Sequence, residues 1–286
     1  MTSNMPPIPI LPSVAPLAAE TDAWLCDVWG VLHNGARAFA EATAACRTFR
    51  STGGVVVLIS NAPRPYSAVA QYMAHLGIGD DVYDIIVTSG DVTRDMVALW
   101  QRRPLFHIGP PRDTGVFAGF DIGMAPPETA EVVVCSGLVD DTTETPDDYR
   151  DLLAPLAERG VPMICANPDI KVERGASLVW CAGGLAQLYE ALGGKVEHAG
   201  KPHRRIYERT FERIAELKRR PVARERMLAI GDGLETDIKG AHAAGIRSVF
   251  VASRLHIDGP LSDQGLNALF AGRPERPVAA LPALRW

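Results

Sequence analysis

The chain has 286 residues, of which 47% are hydrophobic and 22% are charged, so it is long enough for one large domain or two smaller ones. This balance excludes a largely disordered protein. The net charge of −5 provides no basic surface of the kind that binds nucleic acids or anionic membranes, so we expect neither partner.

The cellular compartment is indicated by what the sequence lacks. No uncharged apolar stretch approaches the roughly 18 residues that a membrane-spanning helix needs. The first twenty residues contain five prolines and no basic residue, so we expect no signal peptide. The five cysteines form no C-x-x-C pair and suit small core residues in a reducing compartment. We therefore predict a cytoplasmic protein without a cysteine zinc site.

Short apolar runs alternate with amphipathic segments in the first 100 residues and again after residue 200. The runs are Ala23–Trp29, Val55–Ser60, Asp84–Ser89, Met227–Gly231 and Ile246–Ser253. Runs of this length, bounded by turn residues, predict strands buried on both faces of a parallel sheet. Apolar residues at helical spacing predict helices over 69–76 and 206–217. The alternation predicts an α/β fold with a doubly wound parallel sheet.

The middle of the chain has a different pattern, which predicts an inserted α/β domain over residues 104–194. It contains the β-like runs Leu105–Gly109, Glu131–Gly137 and Pro162–Ala166, and a helix that opens at Thr145-Pro146 and ends at Gly160. The predicted core then consists of residues 1–103, with a proline-rich tail over 1–16, and residues 195–286. We expect the N-terminal tail and the residues from Arg273 onward to lie along the surface.

Polar side chains stand where the predicted strands end. The first strand leads to Asp27, the second to Ser60 and Asn61, and the run Met227–Gly231 leads to Asp232 with Asp237 five residues on; Lys201 precedes the helix that begins after Pro202. Ligands of open parallel sheets bind at the carboxyl ends of the strands. We therefore expect these carboxylates, the hydroxyl, the amide and the lysine to converge.

This set of groups has a chemical logic. A carboxylate such as Asp27 can attack phosphorus and form an aspartyl-phosphate. Crowded carboxylates repel one another unless a cation lies among them, and their hard oxygens suit Mg²⁺. Lys201 supplies positive charge for phosphate oxygens, and Ser60 can donate a hydrogen bond to a transferring phosphoryl group.

Four motifs in this order resemble those of the haloacid dehalogenase superfamily. They are D-x-x-G-V from Asp27, S-N at Ser60, G-K-P from Gly200 and G-D-x-x-x-T-D from Gly231. Within the superfamily the chain resembles the class IIA branch, which includes phosphatases acting on p-nitrophenyl phosphate, nucleotides, sugar phosphates and pyridoxal phosphate. The stretches A-N-P-D at 166–169 and G-G-L-A-Q-L-Y-E at 183–190 resemble the cap domain of that branch.

The resemblance implies a Rossmann-like core with an inserted cap and a role for each matching residue. Asp27 is expected to be the nucleophile and a Mg²⁺ ligand, with Asp232 as a second ligand and Asp237 supporting the metal or the lysine. Ser60 and Lys201 are expected to hold phosphate. Further expected contacts are Asn61 with the leaving group, Asn167 and Asp169 with the specificity side of the substrate, and the Trp29 carbonyl with the metal. The resemblance also implies a small phosphorylated metabolite as substrate and a homodimer formed through the cap.

One position departs from the phosphatase pattern. Phosphatases of the superfamily carry a second aspartate two residues after the nucleophile, which protonates the leaving group and then activates water; here that position is Trp29. An indole offers only an N–H donor and exchanges no proton near neutral pH. Loss of general acid–base help typically removes on the order of 10²–10⁴ in rate. We therefore expect slow turnover, with activated esters affected least.

Trp29 also keeps other functions open. The 2-haloacid dehalogenases of the superfamily carry an aromatic residue at this position, use no metal and attack carbon. Asp232 and Asp237 count against that chemistry, because a metal-free site would leave their charges unneutralised. A metabolite-binding protein with weakened catalysis is a third alternative. The G-D-G-x-x-T stretch also resembles a dinucleotide-binding loop, but Thr236 replaces its third glycine.

Overall fold

A computed structural model describes residues 6–174, 177–252 and 261–286. The contacts of the chain divide it into two compact units. The first comprises Met1–Ile59, Met73–Ile86 and Thr210–Trp286, and the second comprises Ser60–Tyr72 and Val87–Arg209. The predicted boundaries of the core (1–103 and 195–286) and of the insertion (104–194) are not tested by this division and stay predictions.

The strands and helices of the described residues follow in chain order. The strands are β1 (Ala23–Asp27), β2 (Val55–Ser60), β3 (Ile85–Thr88), β4 (Pro104–Ile108), β5 (Gly123–Met124), β6 (Val132–Cys135), β7 (Met163–Cys165), β8 (Lys171–Arg174), β9 (Ser177–Trp180), β10 (Val196–His198), β11 (Met227–Gly231), β12 (Arg247–Val251) and β13 (Ala279–Leu281). The α-helices are α1 (Ala15–Ala18), α2 (Ala40–Ser51), α3 (Tyr66–His75), α4 (Ser89–Val97), α5 (Arg150–Glu158), α6 (Ala182–Ala191), α7 (Arg204–Lys218), α8 (Lys239–Ala243) and α9 (Asp263–Leu269).

The first sheet has the order β13-β12-β11-β1-β2-β3 among the described residues. The pairs from β13 to β2 are parallel. The chain runs outward from β1 in one direction through β2 to β3, and later in the other direction through β11 and β12 to β13. This order is doubly wound, and the strand order reverses between β1 and β11. The predicted α/β core with a parallel sheet is confirmed.

The apolar runs form these strands because the central strands are covered on both faces. Every residue of β1, β2 and β11 is buried. Helix α2 packs on β1 through the stacked rings of Phe49 and Trp24, whose centroids lie 4.0 Å apart. The run predicted over Ile246–Ser253 forms β12, and its last residue lies outside the described residues.

The second unit contains a sheet of order β10-β7-β6-β4-β5, in which all four pairs are parallel. Helices α5 and α6 pack on this sheet around a buried core that includes Leu153, Leu185 and Tyr189. The helical segment predicted from Thr145 begins there, with a capping box between Thr145 and Asp148. The three β-like runs of the middle segment form β4, β6 and β7, which confirms an α/β arrangement in this part of the chain.

The sequence analysis missed several strands and was wrong about the tails. It did not predict the antiparallel pair β8–β9, the short strands β5 and β10, or the edge strand β13. The terminal segments do not simply lie on the surface, because Ile8, Val14 and all of β13 are buried, and Ile10 pairs with Ala280. Local patterning missed this because the apolar residues of both segments are interrupted by proline.

Two further observations bear on the predicted compartment. None of the described helices is both long enough and apolar enough to cross a membrane. All five cysteines are buried free thiols. In the second unit, burial raises the pKa of the Cys135 thiol to about 12. Such thiols behave as small apolar core residues, as predicted.

Candidate active site

The candidate site of the first unit begins at the end of β1. Asp27 is the last residue of this strand, and the apolar residues before it fix the strand in the middle of the sheet. Strand β11 lies directly beside β1, and Asp232 is the first residue after it. The two carboxylates therefore stand at the point where the strand order reverses, which is where open α/β sheets bind ligands.

A helical turn brings in the third carboxylate. A π-helical turn over Leu234–Ile238 follows β11 and carries Asp237, whose Oδ2 accepts a hydrogen bond from the Gly233 amide at 3.1 Å. Gly231 has to be glycine here, because a β-carbon on it would lie 2.2 Å from Cγ of Asp237. The G-D-G-x-x-T-D stretch thus folds its second aspartate back over the strand end.

The three aspartates form one cluster of buried oxygens. One carboxylate oxygen from each of Asp27, Asp232 and Asp237 lies within 4.8 Å of the others, and all three residues are buried. Such crowding of negative charge away from water is unfavourable without a cation, and three hard oxygen donors suit Mg²⁺. The residues present therefore fit the metal that the resemblance implies.

The same negative charge affects the thiol of Cys26, which precedes Asp27 in β1. The pKa of its thiol is raised well above the usual value, first by its hydrogen bond with Cys46, then by burial, and also by the carboxylates of Asp27 and Asp237. A negative field at the end of β1 disfavours further negative charge. It favours a bound cation for the same reason.

Trp29 stands in a tight turn after β1. The Gly30 amide donates to the His33 carbonyl at 2.8 Å, and the indole meets the His33 ring edge-on with centroids 5.0 Å apart. The indole also lies against Gly35, where a β-carbon would lie 2.3 Å from the ring. The indole is therefore held by packing at the position where the phosphatase pattern has an aspartate.

His33 does not replace that aspartate as an ionised group near pH 7. Burial lowers the pKa of its imidazole to about 4. Its Nδ1 accepts a hydrogen bond from the Gly35 amide at 3.0 Å, so the neutral ring carries its proton on Nε2.

Ser60 is the last residue of strand β2 and Asn61 is the next residue; both belong to the second unit. Both residues are buried, and Ser60 Oγ accepts a hydrogen bond from the Ala62 amide at 3.2 Å. The Asn61 side chain reaches two distant parts of the same unit. Its Nδ2 donates to Oδ1 of Asp169 at 2.9 Å and to the Lys201 carbonyl at 3.1 Å, and its Oδ1 accepts from the Lys201 amide at 2.7 Å.

Lys201 and the A-N-P-D loop therefore meet at Asn61. Lys201 is buried in this arrangement. Asn167 Oδ1 accepts from the Asp169 amide at 3.0 Å, which holds the loop in a tight turn. The two stretches that resemble the cap are in contact, because a β-carbon on Gly183 would lie 2.2 Å from the Pro168 carbonyl oxygen.

The predicted site residues thus fall into two groups. The structure brings Asp27, Asp232 and Asp237 together in the first unit, with Trp29 two residues from Asp27. In the second unit it brings Asn61, Asp169 and Lys201 together, with Asn167 in the same loop and Ser60 adjacent in sequence.

Sequence analysis missed the ion pair between the partly exposed Arg64 and the buried Asp113, whose atoms Nε and Oδ1 lie 3.4 Å apart. Burial raises the pKa of Asp113 to about 6 despite the nearby positive charges of Arg64 and Arg112. The sequence carries a weak signal for it, since Asp113 follows β4 as the other site residues follow their strands.

Comparison with known proteins identifies the family of this fold. A doubly wound core with three aspartates at its reversal point defines an α/β protein with a candidate metal-assisted site. Family models described as haloacid dehalogenase-like hydrolase and HAD-hydrolase-like match residues 24–123 and 198–264. A crystal structure of a hydrolase of the haloacid dehalogenase-like family from Brucella suis 1330 is 43% identical and covers 96% of this chain and 99% of its own, with a TM-score of 0.87. The chain belongs to the haloacid dehalogenase-like family of hydrolases.

More distant structures share the fold. The 4-nitrophenylphosphatase from Thermotoga maritima is 22% identical, covers 93% of this chain and 96% of its own, and has a TM-score of 0.72. A glycerol phosphate phosphatase from Mycobacterium tuberculosis, solved in complex with magnesium, is 24% identical. It covers 94% of this chain and 77% of its own, with a TM-score of 0.69. Comparison with curated proteins found no match.

Proposed function

We propose that this protein is a Mg²⁺-dependent hydrolase of small phosphate monoesters that works through a phospho-aspartate at Asp27. The observation that carries the proposal is the cluster of three buried carboxylates at the reversal point of the sheet. Membership of a hydrolase family supports hydrolysis, and the phosphatases among the fold neighbours support the phosphate ester. We further propose that the chain belongs to the class IIA branch.

The metal would be held by Asp27, Asp232 and Asp237, together with the backbone carbonyl of Trp29. When bound, Mg²⁺ would neutralise phosphate oxygens and the carboxylates around it. Asp232 and Asp237 serve as ligands rather than nucleophiles, because they follow β11 while Asp27 ends β1, where the family places its nucleophile.

Asp27 carries out the first chemical step. Its carboxylate oxygen attacks phosphorus, a new oxygen–phosphorus bond forms, and the bond between phosphorus and the leaving oxygen breaks. The leaving alkoxide or phenoxide takes a proton from water. In the second step water attacks phosphorus and the bond between phosphorus and the Asp27 oxygen breaks, which restores the carboxylate. Orthophosphate leaves and gives one of the water's protons to the hydroxide that remained from the first step.

Ser60 and Lys201 are proposed to hold the phosphoryl group. The Ser60 hydroxyl can donate a hydrogen bond, and the Lys201 ammonium neutralises charge that spreads over the phosphoryl oxygens. Asn167 and Asp169 lie in one loop of the second unit, and we propose that this loop contributes to the choice of substrate.

Trp29 sets the expected rate. Its indole can donate a hydrogen bond but cannot exchange a proton with the leaving group or with water near pH 7. The enzyme should therefore prefer esters such as p-nitrophenyl phosphate, whose phenoxide leaves without a proton, and should be slow on alkyl phosphates.

The remaining assignments are proposals of the same kind. We propose that residues 104–194 act as a cap that selects a small phosphorylated metabolite, that the protein forms a homodimer through this domain, and that it works in the cytoplasm.

A panel of phosphorylated metabolites, together with p-nitrophenyl phosphate, tests the function. We expect phosphate release with Mg²⁺ and its loss with a chelator. Chloride release from a 2-haloacid without metal would instead establish the dehalogenase alternative. Binding of a phosphorylated metabolite with no turnover would establish a binding protein of weakened catalysis.

A further inference from the structure

The side-chain amide of Asn61 is almost fully used within the protein. Both N–H groups of Nδ2 donate, one to the Asp169 carboxylate and one to the Lys201 carbonyl, and Oδ1 accepts from the Lys201 amide. The reverse orientation of the amide would place its oxygen against two acceptors, so these partners fix the orientation. No N–H of Asn61 is left to donate to the oxygen of a leaving group.

The amide is closely surrounded by protein atoms. Asn61 is 5% exposed and Lys201 is 2% exposed. A β-carbon on Gly200 would lie 2.3 Å from Oδ1 of Asn61 and 2.8 Å from Cδ of Pro168. The glycine of the G-K-P motif is therefore required because the Asn61 side chain approaches the backbone here.

The partner loop is fixed in turn. The Asp169 amide is bound by Asn167, and the Asp169 carbonyl accepts from the Gly183 amide at 3.1 Å. The loop 167–169 is therefore anchored to the start of α6 as well as to Asn61. Displacement of Asn61 would disturb the loop and Lys201 together.

From this geometry we infer that Asn61 is a positioning residue, which sets the position of Lys201 and the loop 167–169 through one side-chain amide. The inference rests on the proposed function, in which Lys201 binds the phosphoryl group. A lysine side chain is long and flexible, so the position of its ammonium depends on how firmly its backbone is held. Asn61 holds both polar groups of that backbone, and a direct contact with the leaving group is not its role.

This role predicts a specific kinetic signature. Every substrate carries the same phosphoryl group, and so does the product orthophosphate. Loss of the Asn61 amide should therefore weaken the binding of orthophosphate and of every ester, whatever further differences between esters the disturbed loop 167–169 adds. If Asn61 instead contacted the leaving group, its loss would lower kcat/KM for some esters only and would leave the binding of orthophosphate unchanged.

The first experiment compares Asn61→Ala with Asn267→Ala, which makes the same change at an exposed position on α9. We expect Asn61→Ala to lower kcat/KM on the order of 10- to 100-fold for both p-nitrophenyl phosphate and glycerol phosphate. The inhibition constant of orthophosphate should rise, and the control should match the wild type. An unchanged inhibition constant, or a loss confined to one ester, would overturn the inference.

The second experiment exchanges two partners and does not depend on how well Asn61→Ala folds. Asn61→Asp places a second carboxylate against Asp169 and should impair activity strongly. In the double variant Asn61→Asp/Asp169→Asn, the new amide can donate to the new carboxylate and restore their hydrogen bond. We expect the double variant to recover at least about threefold in kcat/KM over Asn61→Asp, a coupling typical of residues in contact. A double variant no better than Asn61→Asp overturns the inference.

The two failures can be told apart. If the wild type releases phosphate but the exchange gives no recovery, only the positioning role falls. If the wild type with Mg²⁺ releases phosphate from no ester, the proposed function fails and the inference falls with it.

Discussion

Gly30 and Asp232 lie so close that no side chain fits between them. A β-carbon on Gly30 would lie 2.3 Å from Oδ2 of Asp232, and the backbone of Gly30 has a φ of +84°. The turn after β1 is therefore shaped around the carboxylate that follows β11. This contact explains why the D-x-x-G motif and the G-D motif occur together in one site.

Gly30→Ala should remove Mg²⁺-dependent activity by pushing Asp232 away from Asp27. Gly119→Ala is the matched control, because Gly119 has the same φ of +84° but no atom within 4 Å of the added β-carbon. Each variant should lose about 1–2 kcal/mol of unfolding free energy from the left-handed backbone. Phosphate release by Gly30→Ala at the rate of Gly119→Ala would contradict this account.

Asp27→Asn should abolish hydrolysis of p-nitrophenyl phosphate and leave the fold intact. An amide cannot act as the nucleophile, and loss of a nucleophile costs on the order of 10⁴-fold or more. Asp121→Asn, a change at an exposed aspartate, should keep full activity. Phosphate release and circular dichroism measure the two properties, and retained hydrolysis in Asp27→Asn would refute the nucleophile assignment.

Mg²⁺ should stabilise the wild type against urea. A ligand at a hundredfold its dissociation constant adds about 2.7 kcal/mol to the free energy of unfolding. Asp232→Asn should lose most of this gain. In chelator, the same variant should be at least as stable as the wild type, because one of three repelling carboxylates is gone. Equal Mg²⁺ stabilisation in both proteins would exclude Asp232 as a ligand.

Trp29→Asp should raise turnover on alkyl phosphates by up to about 10²-fold, because it adds a group that can exchange a proton with the leaving oxygen. It should also lower stability by about 1–3 kcal/mol, since the indole packs against Gly35 and His33. Trp29→Phe keeps an aromatic ring without an exchangeable proton and should show no gain. A folded Trp29→Asp with an unchanged rate on glycerol phosphate would show that this residue does not occupy the acid–base position.

Asp113 should make stability depend on pH in the acid range. Burial raises its pKa from 3.8 to about 6, so the folded state binds more protons than the unfolded state between these values. The contribution of Asp113 to stability therefore falls as pH rises from about 4 to 6, by ~3 kcal/mol. Asp113→Asn should remove this pH dependence. Its free energy of unfolding should therefore rise relative to that of the wild type as pH rises. If the free energies of unfolding of the two proteins changed in parallel from pH 4 to 7, the assignment of this pH dependence to Asp113 would be wrong.

Much of the first sheet follows from local patterning. Two predicted strands, Val55–Ser60 and Met227–Gly231, match β2 and β11 residue for residue, because short continuous apolar runs bounded by turn residues are typical of strands covered on both faces. Strand β13 was missed, since it is three residues long and preceded by proline-rich sequence. Its place depends on pairing with β12, which no local pattern reports.

The sequence by itself determined the class of fold, the family resemblance and the residues that carry chemistry. The pattern of apolar runs and the order of motifs are visible in the sequence without knowledge of which residues meet in space. Only the tertiary structure decided the distances. It brought Asp27, Asp232 and Asp237, which are separated by as many as 210 positions, within 4.8 Å of one another. It also turned the Asn61 amide toward Lys201 and Asp169, because a side chain's hydrogen-bond partners depend on how distant strands pack and not on its neighbours in sequence.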